Sequence, residues 1–190
     1  MSDLTEIRWH GRAGQGIVTA GELLAESAME EGKYFQAFPD YGPERMGAPI
    51  RSFNRISDNP INIHCQITWP DVVVIVDPTV IGVVDVTEGL KKDGQVIVNT
   101  PESPAKMREL LGRKTGRVFT VDATRISLDT LGRAMPNTPM LGALVKATGL
   151  VSLHGIKEYT KERLAAKFRA QVVDANLQSI QRAYDEVVEG

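Results

Sequence analysis

The run Val72-Val73-Val74-Ile75-Val76, entered from Asp71, constrains the fold more than any other feature of this chain. Five successive β-branched residues with no polar alternation fit a strand covered on both faces, as in a parallel sheet with helices packed against it. Gln95–Asn99 and Arg117–Val121 have the same character, and each follows a stretch of helical pattern. Upstream, Leu4–Trp9 reads as a strand, Gly11–Gly16 as a turn, and Ile17–Glu31 as a helix. That helix places Ile17, Ala20, Leu23, Leu24 and Ala28 on one side and stops at Gly32. Tyr34–Phe38 is a strand that ends at Pro39, and residues 40–48 are a loop rich in glycine, proline and charge. Ile50–Ile56 is a further strand before the turn Ser57-Asp58-Asn59-Pro60. Alternating strand and helix imply an α/β fold. The expectation is a mostly parallel sheet with helices on both faces, Rossmann-like in three layers, followed by a long helical C-terminal segment.

That last third changes character. Ser127–Met135, Pro139–Thr148 and Ile156–Val188 read as helical, the last with a break near Ala170–Asp174. Phe168, Val172, Val173, Leu177, Ile180, Tyr184 and Val187 recur every three to four residues. Their face is expected to pack on the sheet, with a partner subunit as the alternative. Trp9 and Trp69 flank strands and are expected in the core. No repeat and no linker rich in proline, glycine or serine interrupts the sequence, so residues 1–190 are expected to form a single domain.

In open α/β sheets the functional site lies beyond the carboxyl ends of the strands. Loops 10–16, 39–48, 77–80, 99–104 and 122–127 are therefore the segments that can carry it. In the first, glycines join a strand to a helix start, where unpaired N–H groups and the helix dipole favour an anion. The spacing is G-x-x-G-x-G rather than the dinucleotide G-x-G-x-x-G. The nearest acid to the end of the second strand is Asp40, beyond Pro39, which also counts against a nicotinamide cofactor. A tight connection without a ligand is the alternative. In the second loop, Arg45, Arg51 and Arg55 fall within eleven residues, and guanidinium groups suit carboxylates and phosphates. An internally paired loop, through Glu44–Arg45 or Asp40–Arg51, is the alternative. Asp77 and Asp122, each at a strand end and two residues before a Thr, read as helix caps. Pro136–Leu144 reads as a capped helix start with a small-residue face for close packing.

Composition removes several classes. There are 22 Lys+Arg against 24 Asp+Glu, a net charge of -2, so no bulk basic charge for nucleic acid. No stretch approaches the ~20 apolar residues of a membrane span, and Met1–Arg8 is polar rather than a signal peptide, so a cytoplasmic location is expected. Cys65 is the only cysteine. An internal disulfide is impossible, and a [4Fe–4S] cluster needs about four thiolates. His10, His64 and His154 are isolated, and there is no Gly-x-Ser-x-Gly elbow.

Three blocks then combine: residues 10–16 (HGRAGQG), residues 36–49 (QAFPDYGPERMGAP) and residues 52–57 (SFNRIS). With residues 71–77 (DVVVIVD) and 137–143 (NTPMLGA), they closely resemble the gamma subunit of 2-oxoacid:ferredoxin oxidoreductases, in the same order along nearly the whole chain. One departure is Ala13, where the family usually has glycine. The resemblance implies a subunit of a complex that oxidatively decarboxylates a 2-oxoacid, pyruvate first, reduces ferredoxin and delivers the acyl group to coenzyme A. It implies thiamine diphosphate with Mg and [4Fe–4S] clusters on the alpha, beta and delta partner chains, and no resident cofactor or catalytic residue here. The isolated chain is expected to be inactive. Coenzyme A, a polyanion, is expected to meet Gly11, Arg12, Gly14, Gln15, Gly16, Tyr41, Arg45, Arg51, Asn137 and Thr138. Neither nucleic acid nor membrane is an expected partner. Alternatives are a purely bracing subunit, an enzyme for 2-oxoglutarate or branched-chain 2-oxoacids, and a stand-alone flavin or nicotinamide enzyme.

Overall fold

The computed structural model describes residues 4–40 and 46–190. In chain order the elements are β1 (Leu4–Arg12), α1 (Ile17–Glu30), β2 (Tyr34–Asp40), β3 (Pro49–Ser57), β4 (Val72–Ile75), β5 (Gln95–Asn99), α2 (Pro104–Leu110), β6 (Arg117–Val121), α3 (Ala123–Leu131), α4 (Asn137–Thr148), α5 (Leu153–Ala165), α6 (Ala170–Glu186) and β7 (Val188–Glu189), with a 3₁₀ turn at Pro78–Val80. The described strands form one sheet in the order β2-β3-β1-β4-β5-β6-β7. β1, β4, β5 and β6 are mutually parallel, and the apolar runs of β4 and β5 sit in the middle of that set, covered on both faces. β3 runs antiparallel to both β1 and β2, and β7 antiparallel to β6.

Alternation along β1 separates two interiors. Ile7 and Trp9 join the core beneath α1 and α4, while Arg8 and His10 point to the opposite face. Trp9 is fully buried, and its Nε1 donates to Asn54 Oδ1 at 2.8 Å. Asn54 Nδ2 in turn donates to the Gly21 carbonyl at 2.9 Å, locking α1 onto β3. The second face is thinner: Val73, Ile75, Val96, Val98 and Val118 lie under Val80, Val86, Leu90 and Met107 of α2.

Several expectations are corrected. Trp69 is 66% exposed, because it lies in irregular chain between β3 and β4 rather than on a buried strand. The C-terminal break falls at residues 166–169, leaving Phe168 exposed between α5 and α6. The chain does not stay helical to Val188. Val187 turns extended, and β7 pairs with the edge of β6 at Phe119 and Thr120, which would otherwise stand open. α6 packs on α3, α4 and α5 rather than directly on the sheet. α3 begins at Ala123 instead of Ser127, because Asp122 caps it by accepting from Arg125 N at 2.9 Å. No helix of the described residues is long and apolar enough to cross a membrane.

Candidate functional site at the glycine turn

β1, β4, β5 and β6 end on one edge of the sheet, and β3 begins there, so the first two loops meet. Ala13 N donates to the Ala48 carbonyl at 2.9 Å and Gly47 N to the Ala13 carbonyl at 3.1 Å, continuing the β1–β3 ladder past the strands. Gly14 and Gly16 have φ of 96° and 73°, a region that favours glycine, whereas no described non-glycine residue has positive φ. Ala13 therefore fits this turn without left-handed backbone. Gly11 is needed for space: a Cβ there would lie 2.8 Å from Ile17 Cγ2.

Side chains fix the turn from inside. Gln15 Oε1 accepts from Arg12 N at 2.7 Å, and Gln15 Nε2 donates to Asp77 Oδ2 at 2.6 Å. Asp77 also accepts from Thr79 N at 2.9 Å and Thr79 Oγ1 at 2.7 Å. Arg12 donates to Thr79 Oγ1 (2.8 Å), the Gly47 carbonyl (2.9 Å) and the Thr79 carbonyl (3.2 Å), with the Asp77 carboxylate 3.6 Å away. Asp77 does cap the 3₁₀ turn, but it also organises the glycine turn. The sequence signal was present: an acid at the end of a central strand faces the neighbouring strand's loop.

The arginines divide. Arg51 holds the Asp40 carboxylate at 2.7 Å yet keeps 41% of its side chain exposed, so the internal Asp40–Arg51 pair exists and still presents charge to solvent. Arg55 lies four residues further along β3 and is 1% exposed. It donates to Glu6 at 2.9 Å, Gln36 at 3.1 Å and the Cys65 carbonyl at 2.7 Å, so it is an internal tie and not part of an anion cluster. Tyr41 and Arg45 lie outside the described residues. Under Arg51 a cavity of about 320 Å³ is lined by His10, Asp40, Val84, Asp85 and Glu88 among others. His10 accepts from Arg8 Nε at 3.0 Å, and burial, with the charges of Arg8 and Arg51, lowers its pKa to about 3.

Asn137 and Thr138 are buried at the start of α4, beside this turn. The expected side-chain cap is absent: Pro136 precedes the helix, and Asn137 Nδ2 instead reaches the Gly16 carbonyl at 3.4 Å. A Cβ on Gly16 would lie 2.7 Å from that nitrogen. α1 likewise starts without a side-chain cap. Two helix N-termini thus converge at Gly16–Asn137, each with first-turn N–H groups that have no acceptor within the helix. Asn137 Oδ1 is buried without a hydrogen-bond partner. The chain offers no fit for an iron–sulfur cluster, since Cys65 is its one thiol and is exposed. No group of three or more His, Cys, Asp or Glu among the described residues is placed to hold a metal.

A family model described as pyruvate ferredoxin/flavodoxin oxidoreductase matches residues 6–186. The chain belongs to this family. Within it, the chain is 49% identical to a pyruvate synthase subunit PorC of Thermotoga maritima, over 96% of this chain and 94% of that one. It is 49% identical to the pyruvate/ketoisovalerate oxidoreductases common subunit gamma of Thermococcus kodakarensis, over 97% and 98%. The crystal structure of pyruvate oxidoreductase subunit PORC from Thermotoga maritima superposes with a TM-score of 0.88 at 44% identity, covering 100% of this chain and 99% of the other. This family member is thus of the gamma-subunit type of these oxidoreductases, with the α/β fold of that subunit.

Proposed function

We propose that this chain is the gamma subunit of a pyruvate:ferredoxin oxidoreductase and that it receives the phosphate end of coenzyme A. The observation that carries the ligand role is the meeting of two uncapped helix starts at Gly16 and Asn137. Amides at the starts of α1 and α4 supply oriented partial positive charge, and Gly14 and Gly16 give the turn the left-handed backbone that brings these starts together. Arg51, held by Asp40 on the other side of the sheet edge beside His10 and Gly11, offers an extended polyanion a second contact of full positive charge. The Arg12 guanidinium, engaged by Thr79, Gly47 and Asp77, stiffens the turn that presents these amides.

No group here breaks or makes a bond with the 2-oxoacid. In the complex, decarboxylation and electron transfer belong to the alpha, beta and delta chains, with thiamine diphosphate, Mg and [4Fe–4S] clusters, and ferredoxin accepts the electrons. A structure of a 2-oxoglutarate:ferredoxin oxidoreductase from Magnetococcus marinus, solved with coenzyme A bound, shares the fold at a TM-score of 0.77 and 19% identity. The common gamma subunits named for both pyruvate and ketoisovalerate favour a second reading of specificity. In that reading one gamma chain serves enzymes for different 2-oxoacids, because the glycine-turn site meets the shared co-substrate.

The test is steady-state kinetics of the assembled enzyme carrying Arg51→Ala. The half-saturating coenzyme A concentration should rise about tenfold, as for loss of one charge-assisted contact, with the 2-oxoacid half-saturation unchanged. An unchanged coenzyme A dependence would remove Arg51 from the site.

A further inference from the structure

The sheet's two faces are covered unequally. α1 and α4 lie on one face with α3, α5 and α6 around them, whereas the other is covered among the described residues by α2, the irregular segment 76–94 and, under β2 and β3, the segment 63–65 that takes Arg55 and Gln36. On that thin face apolar side chains stay in solvent: Val83 is 63% exposed, Leu110 63% and Val84 38%. They line adjoining hollows. One of about 360 Å³ lies between Val83, Val84, Leu110 and Leu111. Another of about 650 Å³ lies between Pro78, Ile81, Met107 and Leu110. Ile81 and Leu110 border both, so the surface is continuous. It reaches the glycine turn through Pro78 and Thr79, whose hydroxyl and carbonyl hold Arg12.

The rim is acidic. Asp85, Glu102 and Glu109 edge the hollows, and Glu88 stands beside Asp85 in the next cavity. Lys106 is the one cation lining these two hollows among the described residues, and it is 2.8 Å from Glu102. A contiguous apolar patch with a charged rim is the composition of an interface rather than of free surface. Its sign selects the occupant, since like charge across an interface is repelled and opposite charge steers approach.

We infer that the face formed by segment 78–88 and α2 docks a partner subunit of the same oxidoreductase. The occupant is a segment that presents apolar side chains flanked by Lys or Arg. This rests on the gamma-subunit reading and adds where the partner sits: beside the coenzyme A turn, on the side of the sheet away from α1.

The experiment co-expresses the full chain with the alpha, beta and delta subunits and measures recovery of this chain in the affinity-purified complex. Leu110→Asp and Val83→Asp change exposed side chains, while Leu128→Asp, at an exposed position on α3, is the control. The inference predicts about tenfold less recovery for each of the first two, with wild-type recovery for Leu128→Asp. Thermal melting and circular dichroism of the isolated variants should match wild type. Glu102→Lys with Glu109→Lys should lower recovery and reverse its sensitivity to salt. Equal recovery of wild type, Leu110→Asp and Val83→Asp would overturn the docking face and leave the gamma-subunit reading intact. Failure of the wild-type chain itself to assemble would overturn both. Self-association of the isolated chain that Leu110→Asp abolishes would make the occupant a second copy and overturn the proposal.

Discussion

Gln15 donates to the Asp77 carboxylate at 2.6 Å while its own carbonyl holds Arg12 N at 2.7 Å, so one amide side chain couples the end of β4 to the glycine turn. Removing Asp77 releases Gln15, Arg12 and both Thr79 donors together. Asp77→Ala should lower the unfolding free energy by about 2 kcal/mol at neutral pH. Burial pushes this carboxyl up, but hydrogen bonds from Thr79 and Gln15 and the charge of Arg12 outweigh it and leave it below its ordinary value. A depressed carboxyl stabilises the fold above its unfolded pKa of about 3.9 and loses that effect as pH falls through the folded value. Urea titrations of both proteins should therefore show the gap closing only in acid.

His10 titrates far below a surface histidine. Its folded pKa is about 3, because burial and the nearby Arg8 and Arg51 charges oppose protonation. Below the unfolded pKa of about 6.5 the unfolded chain binds a proton that the folded chain refuses, so stability falls as pH drops from there towards the folded value. The loss between pH 7 and 5 should be about 2 kcal/mol. In His10→Gln this slope should disappear, whatever the variant's absolute stability. A proton NMR titration of wild type should show no inflection for the His10 ring across that interval.

Gly16→Ala places a methyl in left-handed backbone and against Asn137 Nδ2, 2.7 Å away. The conformational part costs about 1–2 kcal/mol and the overlap adds to it. Asn137→Ala in the same chain should restore the steric part alone. A double-mutant cycle by thermal melting then gives a non-zero coupling between residues 121 positions apart.

Gly142 lets α4 and α6 touch backbone to backbone, since a Cβ there would collide with the Ile180 carbonyl. Gly142→Ala must push α6 away from α4 and should destabilise by about 3 kcal/mol, the upper range for overpacking. Differential scanning calorimetry reads it directly, and an unchanged melting temperature would mean that the two helices are not held so closely.

The strands Gln95–Asn99 and Arg117–Val121, together with the stop of α1 before Gly32, were legible because burial on both faces and helical spacing leave direct marks in sequence. The meeting of the glycine turn with the loop before β3 was legible from the rule that site loops lie beyond the carboxyl ends of strands. Other features depend on partners distant in sequence. Arg55 looks like a third arginine of a cluster, yet the β1–β3 register puts it opposite Glu6, while Arg51 faces His10. Trp69 has the composition of a core residue but lies where no strand carries it inward. Pro136–Leu144 reads as a capped helix start, but helix geometry cannot foretell that the Asn137 amide reaches Gly16. β7 is too short for any periodicity, and only the open edge of β6 explains it.

Hydrogen–deuterium exchange of the assembled enzyme, with and without coenzyme A, tests the central claim most directly. The account predicts that coenzyme A slows exchange at amides 12–19 and at those of Asn137, Thr138 and Met140 together, the starts of α1 and α4 that meet at Gly16 and Asn137. The helical face formed by α5 and α6 should be unaffected. Protection confined to other segments, or to the partner chains, would contradict it.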